Sequence, residues 1–105
     1  MKNGLRNDLF HVRRYKVGII GATGMVGQRI IERLCYHPLI DTAVLAASAK
    51  SAGKMYGELM KDKWKLKSSI PQLVSSMVVV DASKIEEIAD RVDFVFCAVD
   101  MEKKQ

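Results

Sequence analysis

The stretch from Tyr15 to Leu34 reads YKVGIIGATGMVGQRIIERL, and its reading decides the fold. An apolar run, Val17 to Ile20, enters a turn with glycines at 21, 24 and 27, and a helix-patterned run follows at once. A strand, a glycine-rich turn and a helix N-terminus in that order suit a dinucleotide pyrophosphate. The three glycines have different tasks. Gly21 permits a tight turn out of the strand, where φ can be positive. Gly24 lets the backbone approach a phosphate with no β-carbon in the way, and Gly27 lets the helix pack closely on the strand. Thr23 offers a hydroxyl, and the amides around Gly24, Met25 and Val26 are free at a helix start, where the helix dipole favours an anion. The spacing is G-x-x-G-x-x-G, a variant of the commoner G-x-G-x-x-G.

Working outward, Met25 to Tyr36 is expected to be helical, with Val26, Ile30, Ile31 and Leu34 facing a sheet. His37-Pro38 ends it, because a residue before proline avoids the helical region. Thr42 to Ala47, TAVLAA, is expected as a second strand buried on both faces. Ser48 to Gly53, SAKSAG, is a loop, and Met55 to Met60 a helical turn. Between Trp64 and Leu73 the pattern is mixed. Pro71 argues against a central strand there, and a short irregular strand is the expectation. Met77 to Val80 is expected as strand three. Lys84 to Arg91 is expected as a short helix with Ile85 and Ile88 on one face, and Asp93 to Val99 as strand four. This alternation implies an α/β fold: a Rossmann-like parallel sheet with flanking helices and right-handed crossovers, incomplete at about four strands. A doubly wound domain has about six. Residues 1–14 read as an N-terminal extension, and residues 15–105 as the N-terminal part of such a domain. Alone, it would leave a sheet edge and apolar faces uncovered.

The bulk composition narrows the function classes. The chain has 105 residues, 49% hydrophobic and 28% charged, which fits one globular domain. No apolar run reaches the length of about 18 residues that a membrane span needs. The formal charge is +5, but the lysines and arginines are spread along the chain with no aromatic interleaving, so nucleic acid is not an expected partner. Arg6, Arg13 and Arg14 with Leu5, Leu9 and Phe10 only faintly resemble a targeting helix, and no targeting is assigned. Cys35 and Cys97 have no metal-site spacing, and a reduced, cytoplasmic setting fits. Both are expected to be buried and inert, since a nucleophilic thiol needs a base or helix N-terminus and no histidine follows Cys97. His11 and His37 are isolated and read as surface or capping residues. Glu86, Glu87 and Asp90 read as a solvated face, and Trp64 as partly buried between hydrated Lys63 and Lys65.

The choice of dinucleotide turns on the end of strand two. There an NAD site places an acid to bind the ribose 2′-hydroxyl. Here Ser48 stands in that place, no acid lies between Val44 and Gly57, and Lys50 and Ser51 follow. A carboxylate would repel a 2′-phosphate, whereas two hydroxyls and an ammonium would hold one. NADP is therefore the expected cofactor. The alternative is a solvated loop with Lys50 in water.

GATGMVGQR, then HP, then LAASAKSAGKMYGE, then KW, then the VDFVFCA strand together resemble aspartate-semialdehyde dehydrogenase, in its archaeal and fungal type. The resemblance runs from about Tyr15 to about Lys103. It implies an enzyme that reversibly reduces L-aspartyl 4-phosphate to the semialdehyde with NADPH, on the route to lysine, threonine and methionine. In that family a cysteine thiolate attacks the acyl phosphate, a histidine is the acid/base, and the assembly is a dimer or tetramer. By the resemblance, Gly21, Thr23, Gly24, Met25 and Val26 form the pyrophosphate turn, and Ser48, Lys50 and Ser51 grip the ribose phosphate. Lys50 stands where the family often has arginine, and supplies charge without a bidentate fork. Cys97 and Ala98 match a stretch passing the cofactor. The family's catalytic cysteine and histidine have no counterpart here, so no catalytic residue is assigned and this chain alone is expected to be inactive. N-acetyl-γ-glutamyl-phosphate reductase, with the same fold, and a non-catalytic nucleotide-binding module remain as alternatives.

Overall fold

A computed structural model of the protein describes residues 14–98. The N-terminal extension up to residue 13, His11, Val99 at the end of strand four and the tail from residue 100 lie outside the described residues. Four parallel strands form one sheet: β1 (Tyr15–Ile20), β2 (Ile40–Ala47), β3 (Val80–Asp81) and β4 (Phe94–Cys97). Their order is β3-β2-β1-β4. The helices are α1 (Met25–Leu34), α2 (Tyr56–Met60), α3 (Gln72–Ser75) and α4 (Ile85–Arg91). The expected Rossmann-like α/β architecture is therefore present.

The period-2 alternation of β1 and β2 sorts their side chains onto two faces. Val17, Ile19, Leu45 and Ala47 join Ile31, Tyr56, Met60 and Val74 in the larger core. Ile20, Val44 and Ala46 face the other way, against Ile88 of α4. Four consecutive residues at the end of β2, Val44 to Ala47, are buried, as a strand covered on both faces requires. At Gly18, α4 lies close over β1: a β-carbon there would sit 3.4 Å from Ile88 Cγ2, an ordinary packing distance.

Several expectations need correction. Helix α1 ends at Leu34, with Cys35 as its cap, two residues short of Tyr36. Its inner face is Gly27, Gln28 and Ile31, whereas Val26 is 58% exposed and does not face the sheet. The close approach at Gly27 sets the helix rotation, and that rotation turns Val26 outward. No strand forms between Trp64 and Leu73. Instead Pro71, with φ −59°, starts α3, since a proline loses nothing where helical amides have no partner anyway. Strand three is shorter than MVVV implies and later in the chain. The amides of Val79 and Tyr56 donate to the carbonyls of Lys54 and Met77, and that of Gly53 to Val79. This antiparallel pairing takes up the backbone of Met77–Val79, and only Val80–Asp81 is left to join β2. On α4, Ile88 is buried but Ile85 is 46% exposed. As the first helical residue, Ile85 leans back toward the helix start, away from the sheet.

Among the described residues β4 is an edge strand of the sheet. All four of its residues are exposed, Phe94, Val95 and Phe96 among them. Cys97 is thus exposed, against the expectation of a buried thiol, because it lies on the terminal strand of the sheet order. Cys35 is buried as expected. No helix among the described residues is long and apolar enough to cross a membrane.

Candidate functional site

The strand order creates the site. From β1 the chain steps one way, to β2 and then β3, and returns to place β4 on the other side of β1. In open α/β sheets the crevice beyond the carboxyl ends of the strands, where the order reverses, is the ligand position. Ile20 pairs with Ala46 on one side and Cys97 on the other. The amides of Gly21 and Ala22 both donate to the Ala46 carbonyl, at 2.9 and 3.1 Å, and the Ala98 amide donates to the Ile20 carbonyl at 2.7 Å. The glycine turn, the Ser48 loop and the Cys97–Ala98 segment therefore leave the sheet along one edge.

In the turn, Gly21 has φ 85°, a region that disfavours any side chain. Gly24 caps α1 with φ −82° and ψ 174°, a conformation open to any residue. A β-carbon on Gly24 would find only the Gly21 carbonyl oxygen, 3.9 Å away. The fold does not need a glycine there, and the space in front of it is free. No side chain caps α1 and no acid lies in its first turn, so its positive end is uncompensated. Gly24, Met25 and Val26 are exposed, and Thr23 is half-buried. The Gly24 amide, expected to be free, instead donates to the Gly21 carbonyl at 3.3 Å, because the turn folds back on itself before the helix.

The turn is held from behind. The Tyr56 hydroxyl, fully buried, donates to the Ala22 carbonyl at 2.7 Å. Gln28 Nε2 donates to the Thr23 carbonyl at 3.0 Å and to that of Lys63 at 3.3 Å, while Oε1 accepts from the Lys65 amide at 2.8 Å. Tyr56 meets Trp64 edge to face, with ring centroids 6.4 Å apart. Trp64 Nε1 donates to the Ser68 carbonyl at 2.6 Å, so the indole braces this floor, with Lys63 and Lys65 exposed as expected. Burial pushes the Tyr56 phenol far above its usual range, and the nearby Cys35 adds to the shift. It remains a neutral donor at any working pH.

Ser48 follows the last residue of β2 directly. Its carbonyl accepts from the amides of Ser51 and Ala52 at 2.9 and 3.1 Å, which curls the loop. Ser48 and Lys50 are exposed and Ser51 is half-buried. Lys54 Nζ donates to the Lys50 carbonyl at 3.2 Å, bracing the loop. Gly53, φ 90°, then turns the chain back, and α2 follows with Tyr56 at its first position. The loop and the turn are thus joined through one short segment.

The structure brings all ten expected site residues to this edge. Sequence reasoning missed Gln28, Tyr56 and Lys54. Gln28 follows Gly27 in the quoted motif, and its burial was readable only once the helix was rotated to put Gly27 inward. Among the other expectations, His37 is a capping residue: its Nδ1 accepts from the Leu39 amide at 3.0 Å. Glu86, Glu87 and Asp90 are exposed. No cluster of three or more metal-ligating side chains occurs among the described residues.

Known proteins share this sequence and fold. The family profile described as semialdehyde dehydrogenase, NAD binding domain, matches residues 16–105. An aspartate-semialdehyde dehydrogenase of Methanothermobacter thermautotrophicus is 46% identical over 83 residues, covering 79% of this chain and 23% of that protein. One from Cryptococcus neoformans is 52% identical over 64 residues, 61% of this chain and 17% of the relative. A crystal structure of aspartate semialdehyde dehydrogenase with NADP from Candida albicans superposes with TM-score 0.76 at 37% identity, over 85% of this chain and 24% of that one. The chain spans about a quarter or less of the length of these relatives.

Proposed function

We propose, from the premise that this chain belongs to the NAD-binding-domain family of semialdehyde dehydrogenases, that it supplies the NADP site of an aspartate-semialdehyde dehydrogenase. The observation that carries the reading is the reversal of strand order at β1 and β4, which gathers the glycine turn, the Ser48 loop and Ala98 on one edge. The relative from Candida albicans was solved with NADP, and the site residues here fit that cofactor. Gly24, Met25 and Val26 at the open N-terminus of α1, with the Thr23 hydroxyl, would hold the pyrophosphate. Ser48, Lys50 and Ser51 take the 2′-phosphate, the ammonium supplying charge and the hydroxyls hydrogen bonds. Cys97 and Ala98 pass alongside.

NADPH supplies the hydride when bound. This chain supplies most of the dinucleotide site and none of the thiol chemistry. The substrate is L-aspartyl 4-phosphate, reduced reversibly to the semialdehyde, and the full enzyme is a dimer or tetramer. Cys97 is not taken as its nucleophile: it is a free thiol exposed on β4, and His37, the described histidine, is occupied in capping the Leu39 amide. Titration of the chain with NADPH and NADH tests the reading. Tighter binding of NADPH, with no aldehyde-dependent NADP reduction, is expected. Binding of neither nucleotide, or turnover by this chain, would count against it.

A further inference from the structure

The geometry points to Gln28 and Tyr56 as positioning residues of the nucleotide site: their buried side chains hold the Ala22 and Thr23 carbonyls inward and thereby fix which way the turn presents its amides. This rests on the nucleotide-binding reading above. Both side chains are almost fully buried, at 2% and 0% exposure, and they come from different elements. Each spends its donor on one carbonyl of the turn: Tyr56 on Ala22 at 2.7 Å, Gln28 on Thr23 at 3.0 Å.

The consequence follows from peptide geometry. In a planar trans unit the C=O and the N–H point opposite ways. With the Ala22 carbonyl held toward the core, the Thr23 amide faces outward. With the Thr23 carbonyl held, the Gly24 amide stays on the Gly21 carbonyl at 3.3 Å. Both peptide planes ahead of α1 are fixed, and the Met25 and Val26 amides head the helix from a set direction. Without these donors the planes are held less firmly: the Ala22–Thr23 unit can turn about ψ of Ala22 and φ of Thr23, and the Thr23–Gly24 unit about ψ of Thr23 and the freer φ of Gly24. A phosphate would then meet amides that must be ordered on binding, at a cost in affinity. Gln28 also ties the turn to Lys63 and Lys65, so that segment moves with the turn.

The test uses the full chain with Tyr56→Phe and Gln28→Glu. NADP affinity is read below each variant's melting midpoint and taken relative to the wild type at the same pH. Tyr56→Phe removes only the hydroxyl, and a roughly three- to tenfold weaker affinity is expected. Gln28→Glu keeps an acceptor for the Lys65 amide, but an ionised carboxylate cannot donate to Thr23. Arg29 and Glu32 are its neighbours in sequence on the same helix, and its side chain reaches the backbone of the exposed Lys63 and Lys65. Burial raises such a carboxyl, so lowering the pH returns the proton that lets it donate again. Affinity roughly tenfold below wild type at about pH 8.5, recovering at about pH 6, is the expected signature. A purely structural role would lower the melting midpoint and leave relative affinity unchanged at both pH values, and that result overturns the inference. If Gln28→Glu does not fold, Tyr56→Phe decides alone. If the wild type fails to bind NADP, the nucleotide reading falls. The amide shifts of Thr23 to Val26 in Tyr56→Phe then decide the positioning role, and unchanged shifts overturn it.

Discussion

Gly27 packs against the carbonyl oxygen of Gly21. A β-carbon at Gly27 would overlap that oxygen and stand 2.9 Å from the Ala22 Cα. Both obstacles are backbone, so neither can swing away. This contact sets the distance and rotation of α1 over β1, and with them the position of every amide at the helix start.

The turn glycines should therefore separate by experiment. Gly27→Ala is expected to lower stability by about 3 kcal/mol, the upper end for overpacking, in urea denaturation. Gly24→Val meets open space and an ordinary backbone, and should cost only about 1 kcal/mol for the poorer helix cap. Its circular dichroism should stay native while NADP binding is lost. Native affinity in Gly24→Val would mean that Gly24 serves no ligand.

On the proposed reading, Lys50 carries the cofactor choice. Its side chain is exposed, and its carbonyl, rather than its ammonium, is used to brace Lys54. Lys50→Ala should weaken NADPH by roughly tenfold, within the range of a charge-assisted bond, and leave NADH almost unchanged. Titrations of both nucleotides check this, and equal losses would remove the 2′-phosphate role.

The two cysteines should differ in reactivity. Cys97 lies on the exposed edge strand, and Cys35 is buried with its thiol pushed up to about 11 by desolvation, the Thr42 hydroxyl offsetting only part of this. Thr42 Oγ1 is itself buried with no partner at conventional hydrogen-bond geometry, so the thiol is at best a weak one. A thiol reagent at neutral pH should modify Cys97 quickly and Cys35 only after denaturation. Rapid modification of both in the native chain would contradict this burial.

Alkali should destabilise the fold in a defined window. The Cys35 thiol rises from 9.0 to about 11 on folding, so above pH 9 the unfolded chain loses a proton that the native chain retains. Stability from this group is complete below pH 9 and falls between there and about 11. Tyr56, also raised by burial, shifts in the same sense from 10.0 upward. Urea midpoints measured across pH 8 to 11 should fall from about pH 9, and Cys35→Ser should flatten the first part of that fall.

The sequence by itself determined the α/β class, the glycine turn, the loop after strand two and the NADP-compatible absence of an acid there. These are local signals: periodicity, glycine spacing and charge at a strand end act within a few residues. Only the tertiary structure decided that Gly24 is not needed by the fold while Gly21 and Gly27 are, because that depends on what surrounds each α-carbon. The shortened β3 was likewise invisible, since the backbone of Met77–Val79 is taken by Gly53–Tyr56, more than twenty residues away. Val26 turned outward and Gln28 inward because close contact with Gly21, rather than hydrophobic spacing, set the helix rotation. The clamp of Tyr56 and Gln28 on the turn has no sequence signature at all. A buried hydrogen bond joins whichever donor and acceptor the fold brings together, and Tyr56 meets Ala22 across 34 residues of chain.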